Sequence, residues 1–133
     1  MWGINRKLEF GKVESALQTP AAIVLLVVGL LLMFVAVASL FSARTTVNPL
    51  RPSRASSLVT TGIFRISRNP IYLGDLLVLA AIAVWLGNVV NFVPLVLFVW
   101  YINRYQIIPE ERALAERFGA SYVAYCSRVR RWL

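Results

Sequence analysis

Histidine is absent from this chain of 133 residues. Its absence removes a catalytic triad of the usual kind and any metal site built on imidazole, so no metal is expected. A single cysteine, Cys126, rules out an internal disulfide and a cysteine-rich zinc site. Charge is scarce: 15% of residues are Asp, Glu, Lys or Arg, against about a quarter in soluble domains. Only six of the charged residues are acidic, against 14 basic, for a net charge of +8. What fills the chain is apolar: 59% of residues, with a mean hydropathy of +0.69. Such a composition excludes both an ordinary soluble domain and a disordered chain. With so apolar a chain, the basic excess suits the cytoplasmic side of a membrane better than a nucleic acid. The length allows one domain, and no internal repeat or low-complexity tract is visible.

The apolar residues are grouped. No charge occurs from Ser15 to Ala43, and residues 21–41 are apolar apart from Ser39. About 20 such residues cross a bilayer core, so a transmembrane helix is expected over about 21–43. A cleaved signal peptide is the competing reading, but the run is too long for one. A second apolar tract covers 71–106, broken only by Asp75 and Arg104. As one helix it would measure about 54 Å, far more than the roughly 30 Å hydrocarbon core. Gly87, Asn88 and Asn91 lie at its centre and Pro94 follows, which predicts a tight hairpin of two helices at about 71–87 and 91–107. The expected fold is therefore an all-α integral membrane protein with three spans, a loop at 44–70 and further helices over 109–133.

Charge sets the orientation. The loop carries Arg44, Arg51, Arg54, Arg65 and Arg68, and the tail carries Arg104, Arg112, Arg117, Arg128, Arg130 and Arg131. The turn at 87–91 carries none. The positive-inside rule then makes loop and tail cytoplasmic, and in a bacterium the membrane would be the inner one. Residues 1–20, with Trp2, Ile4, Leu8, Phe10, Val13 and Leu17, suit an interfacial helix. Beyond Pro109, Tyr122, Tyr125, Val129 and Trp132 recur at helical spacing, flanked by arginines, and read as a terminal helix lying on the membrane surface.

Polar residues at membrane depth are costly and mark function. They gather at two junctions that the hairpin brings together. One is the stretch Arg65–Asp75 entering the second span; the other is Arg104 with Glu110 and Glu111 after the third. Arg104, Ile108 and Glu111 fall on one helical face if Pro109 leaves the helix unbroken. Gly74 leaves room for a ligand or for a helix. Plainer readings stand beside these. Glu110 and Glu111 suit a helix dipole, Arg65 and Arg68 suit a topogenic role, and Tyr72 suits an aromatic belt.

The order Arg68-Asn69-Pro70-Ile71-Tyr72-Leu73-Gly74, then Pro109-Glu110-Glu111, then Phe118-Gly119 with Tyr122 and Tyr125, resembles the isoprenylcysteine carboxyl methyltransferase and phospholipid methyltransferase family of membrane enzymes. Thr45-Thr46-Val47-Asn48-Pro49 and the ending Val129–Leu133 look like its small bacterial members. The resemblance covers about residues 44–133. It implies S-adenosyl-L-methionine as cofactor, held by Asn69, Tyr72, Gly74, Glu110 and Glu111. It also implies Arg68 and Arg104 as catalytic residues placing a carboxylate of the acceptor. The implied reaction is methyl transfer to a carboxylate, isoprenylcysteine-like, on a lipophilic or lipidated membrane substrate at the cytoplasmic face. A carboxylate needs no general base, so alignment in a water-shielded site would do most of the work, about 7–11 kcal/mol.

Two features depart from the family. Asn69 stands where histidine is commonest and cannot titrate. Relatives also carry a further helix ahead of the span at 21–43, which residues 1–20 do not supply; a homo-oligomer or a partner's helix would complete the bundle. The rival functions are a phospholipid or other lipid amine methyltransferase, an NADPH-dependent sterol-type reductase suggested by Asp75 after Gly74, and a non-catalytic membrane scaffold.

Overall fold

The first described element, α1 (Gln18–Ser42), is the long apolar helix expected from the sequence, begun three residues earlier. Pro20 sits in its first turn, where a missing N–H costs no hydrogen bond. The computed structural model describes residues 15–44 and 57–133, and its elements are helical. The expected interfacial helix at 1–20 falls largely outside the described residues, as does the Thr45–Pro49 motif. A short 3₁₀ turn, Gly62–Arg65, precedes α2 (Pro70–Leu86), which closes at Gly87 with φ 62°. The hairpin turn expected at 87–91 is present: Asn88 accepts a hydrogen bond from the Val90 N–H through its side chain, at 3.0 Å.

The third span differs from the expectation. Residues 89–92 form a 3₁₀ turn, α3 covers Val93–Ile102, and a π-helical turn at Asn103–Ile107 leads into α4 (Ile108–Phe118). Proline explains the wide turn. Pro109 has no N–H, and in a regular helix its ring would strike the carbonyl of Tyr105. Inserting one residue relieves that clash while the backbone stays helical, and the Ile108 N–H reaches back to the Asn103 carbonyl. Among the described residues α1 alone is long and apolar enough to cross a membrane, with α2 a shorter apolar helix.

Helices α1 and α2 run antiparallel. At one end the Gln18 side-chain amide donates to the Trp85 carbonyl at 2.8 Å. Between the ends, small residues let the backbones close. Ala22, Gly29 and Ala36, the buried residues of α1, repeat every seven positions. A Cβ built on Gly29 would lie 2.8 Å from the Gly74 carbonyl oxygen, and one built on Gly74 would meet the Met33 side chain and sit 2.7 Å from the Gly29 carbonyl oxygen. Membrane helices pack in this way because lipid supplies no hydrophobic drive between them, which leaves van der Waals contact. The opposite face of α1 is bare: Phe34 is 72% exposed, with Ile23, Val24, Val27, Leu30 and Leu31 also open. An apolar face of that extent is far larger than a soluble surface carries and fits lipid.

The terminal stripe also departs from its expected place. Gly119 adopts φ 55° and ψ −124°, a backbone region that side chains disfavour, and so turns the chain between α4 and α5 (Ala120–Arg128). Tyr122, Tyr125 and Val129 then pack with Ala36 and Phe64 as a buried core instead of lying on a membrane surface. The Tyr125 hydroxyl donates to the Phe64 carbonyl at 2.6 Å. Helix α5 stops at Arg128, and Val129 is extended (φ −125°, ψ 128°), so the last residues run as a strap.

Candidate active site

The strap meets the first polar junction. The Arg68 N–H donates to the Arg130 carbonyl at 3.1 Å, and the Asn69 side-chain amide donates to the Arg131 carbonyl at 3.0 Å. Ser67 accepts from the Asn69 N–H at 3.1 Å and donates to the Arg131 carbonyl at 3.4 Å. Asparagine is a good helix cap, yet Asn69 caps nothing. Its amide is committed to the tail, and Pro70, next in line, has no N–H to satisfy.

The second junction supplies the acids. On α4, Glu111 accepts a two-pronged contact from Arg131, Nε to Oε1 at 2.9 Å and Nη2 to Oε2 at 2.8 Å. Arg68 Nη1 lies 3.3 Å from the same Oε1 and donates to Cys126 Sγ at 2.7 Å. Beside it, Glu110 Oε2 accepts from the Tyr72 hydroxyl of α2 at 3.0 Å. The two junctions thus close into one corner. Trp132 adds a further tie, donating from Nε1 to Asn103 Oδ1 at 3.2 Å in the π turn.

The two glutamates differ in electrostatics. Glu111 faces two guanidiniums, and its hydrogen bonds hold Arg131 above the usual arginine range. Glu110 has no cation partner among the described residues. Burial, helped by the neighbouring charge of Glu111, pushes its carboxyl up to about 7, and the Tyr72 hydrogen bond only partly opposes this. Arg68 retains a buried Nε–H with no acceptor among the described residues. An ammonium group would suit Glu110, and a carboxylate would suit the unused donor of Arg68. No cluster of metal-ligating side chains occurs among the described residues.

Comparison with known proteins identifies the architecture. The family model for phospholipid methyltransferase matches residues 17–121. The chain belongs to that family. Members of the phospholipid and isoprenylcysteine methyltransferase family are membrane enzymes that use S-adenosylmethionine. An uncharacterized protein of Haemophilus influenzae is 43% identical over 63 residues, which is 47% of this chain and 100% of that protein. Protein-S-isoprenylcysteine O-methyltransferase B of Arabidopsis thaliana is 34% identical over 80 residues, 60% of this chain and 41% of the plant protein. Form A from the same plant is 36% identical over 72 residues, 54% of this chain and 36% of the relative. The chain therefore matches well under half the length of the two plant enzymes. No solved structure matches it.

Of the site residues expected from the sequence, the structure brings together Arg68, Asn69, Tyr72, Glu110 and Glu111. Gly74 points elsewhere: the room it leaves is taken by Gly29 and Met33 of α1, so its small size serves helix packing. Arg104 is exposed and makes no ion pair with Glu111. The π turn is the reason. The extra residue shifts the helical phase of everything after the turn, so a spacing counted from Arg104, inside it, to Glu111 beyond it no longer keeps one face. Three side chains that sequence reasoning passed over complete the corner: Arg131, Cys126 and Ser67. The sequence places Arg131 among the tail arginines that set orientation, beside the apolar stripe and in the family-like ending, without a partner. The signal available was the Arg130-Arg131-Trp132 ending itself, present with the motifs but given no partner.

Proposed function

We propose that this chain transfers the methyl group of S-adenosylmethionine to a carboxylate on a lipophilic membrane substrate, at the cytoplasmic face. The observation that carries the reading is the Tyr72–Glu110 pair: a half-buried carboxylate with no cation partner among the described residues, next in sequence to the Glu111 that Arg68, with its unused donor, engages. The cofactor supplies an electrophilic methyl group on a positively charged sulfur. Glu110 and Tyr72 would bind its amino group, Arg68 and Asn69 would border its carboxylate, and Arg104 at the lipid edge would draw in an anionic acceptor. The helices α1, α2 and α3 would act as the three spans. Exposed Trp100 and Tyr101 meet Tyr105 edge-on at 6.0 Å and tilted at 5.0 Å, an aromatic cluster that suits the depth of the headgroups. Arginines in loop and tail favour the cytoplasmic orientation. A homo-oligomer, or a helix from a partner, would cover the bare face of α1.

One observation favours a second acceptor. An amine must lose a proton before attack, and a carboxyl near 7 is suited to take it. Glu110 would then act as the base of a lipid amine methyltransferase. Labelled methyl transfer in liposomes decides between the two. A prenylated cysteine acceptor would give an alkali-labile methyl ester, and phosphatidylethanolamine an alkali-stable N-methyl product. Label in neither product, from protein that binds the cofactor, would refute both acceptors.

A further inference from the structure

We infer that Arg131 is a positioning residue whose clamp on Glu111 divides the labour of the two glutamates: Glu111 anchors the end of the chain, and Glu110 alone receives the positive end of a ligand. The inference rests on the cofactor reading above. It begins with the oxygens of Glu111. Oε1 takes Arg131 Nε and lies near Arg68 Nη1, while Oε2 takes Arg131 Nη2. A planar guanidinium matched to both oxygens is the strongest geometry available to a carboxylate. Side-chain exposures are 14% for Arg68, 19% for Glu111 and 37% for Arg131, so water screens the Arg131 fork more than the Arg68 contact.

One carboxylate shared by two guanidiniums carries net positive charge, which opposes a third cation. Glu110, one residue away, has the opposite balance: a neutral hydroxyl and no cation partner among the described residues. The clamp is also held from behind. The Arg131 carbonyl accepts from Asn69 and Ser67, and Trp132 reaches Asn103. Three successive tail positions, 130–132, therefore tie the start of α2, the π turn and α4 to one another. Through Glu111 the strap fixes Arg68, whose free Nε–H then has one set direction. The groups that titrate against Glu110 are Tyr72 from α2 and Glu111 on its own helix.

The test is calorimetric titration with S-adenosylhomocysteine at pH 6 and pH 8, on the full chain in detergent, beside thermal melts without ligand. The wild type should bind about tenfold more tightly at pH 8, as expected for a carboxyl titrating near 7 that must be ionised. Glu110→Gln should bind weakly and lose the pH step. Arg131→Ala should weaken binding several-fold at both pH values and keep the step; Arg131→Lys, which retains charge without the fork, should fall between. In the melts, Glu111→Gln and Arg131→Ala should each lower Tm, with the double variant little worse than the poorer single one, and Glu110→Gln should not lower it. The inference is overturned if Glu111→Gln abolishes the pH step while Glu110→Gln keeps it. It is equally overturned if Arg131→Ala binds and melts like the wild type, or if Glu110→Gln lowers Tm as much as Glu111→Gln. A folded wild type that binds nothing counts against the cofactor reading, and the melts then decide the partition of the glutamates by themselves.

Discussion

Substituting Gly74 with alanine places a methyl group where two backbones already touch. The new Cβ would lie 2.7 Å from the Gly29 carbonyl oxygen and against the Met33 side chain. Methionine is flexible and can swing away. A backbone carbonyl in the middle of α1 cannot, so the helices must part by about 0.7 Å to restore ordinary contact. Overpacking of this kind costs about 1–3 kcal/mol. Reversible unfolding in mixed detergent should show that loss for Gly74→Ala. Adding Met33→Ala should recover only part of it, because the carbonyl contact remains. Affinity of the folded fraction for S-adenosylhomocysteine should be little changed, since Gly74 faces α1 and not Glu110. Loss of binding at undiminished stability would show instead that Gly74 touches the ligand, and a cost below about 0.5 kcal/mol would refute the packing argument.

Two more expectations follow from named contacts. Glu110 binds its proton more tightly folded than unfolded, from 4.5 to about 7, so its contribution is fully present below about pH 4.5 and is lost as pH rises through 7. Stability should fall by up to about 3 kcal/mol across that window, and Glu110→Gln should flatten this part of a Tm-against-pH profile; an unchanged slope in the variant would sink the assignment. Tyr125→Phe strips the 2.6 Å bond from the buried Phe64 carbonyl and should cost about 1–3 kcal/mol in a denaturant or thermal melt. A neutral result would mean that the carbonyl finds water.

The helical elements were legible because their signals are long and redundant. Residues 21–41 announce α1 by hydropathy alone, and Gly87 and Asn88 mark the turn by their backbone and capping preferences. The motif residues were legible through resemblance, and topology alone was enough to bring Tyr72 and Glu110 to neighbouring ends. What the sequence hid was phase and partnership. Pro109 was visible, but whether it would bend, break or widen the helix depends on packing that fixes Ile107 in a fully buried position. That choice moved Glu111 away from Arg104 and towards Arg68. Arg131 was hidden for a different reason. An arginine near a chain end looks the same whether it contacts lipid phosphate or a carboxylate twenty residues earlier, and only the extended backbone at Val129 turns it inward. Tyr122 and Tyr125 kept helical spacing in either reading, but the core at Ala36 and Phe64 claimed their apolar face before the membrane could.

The claim that a cofactor sits at the Tyr72–Glu110 corner is tested most directly by titrating the detergent-purified chain with S-adenosylhomocysteine at pH 8, beside Tyr72→Phe and Glu110→Gln. Micromolar binding by the wild type, weakened in Tyr72→Phe and weakened further in a folded Glu110→Gln, is the expected result. A well-folded wild type that binds no ligand, or a Glu110→Gln variant that binds as tightly as the wild type, would contradict it.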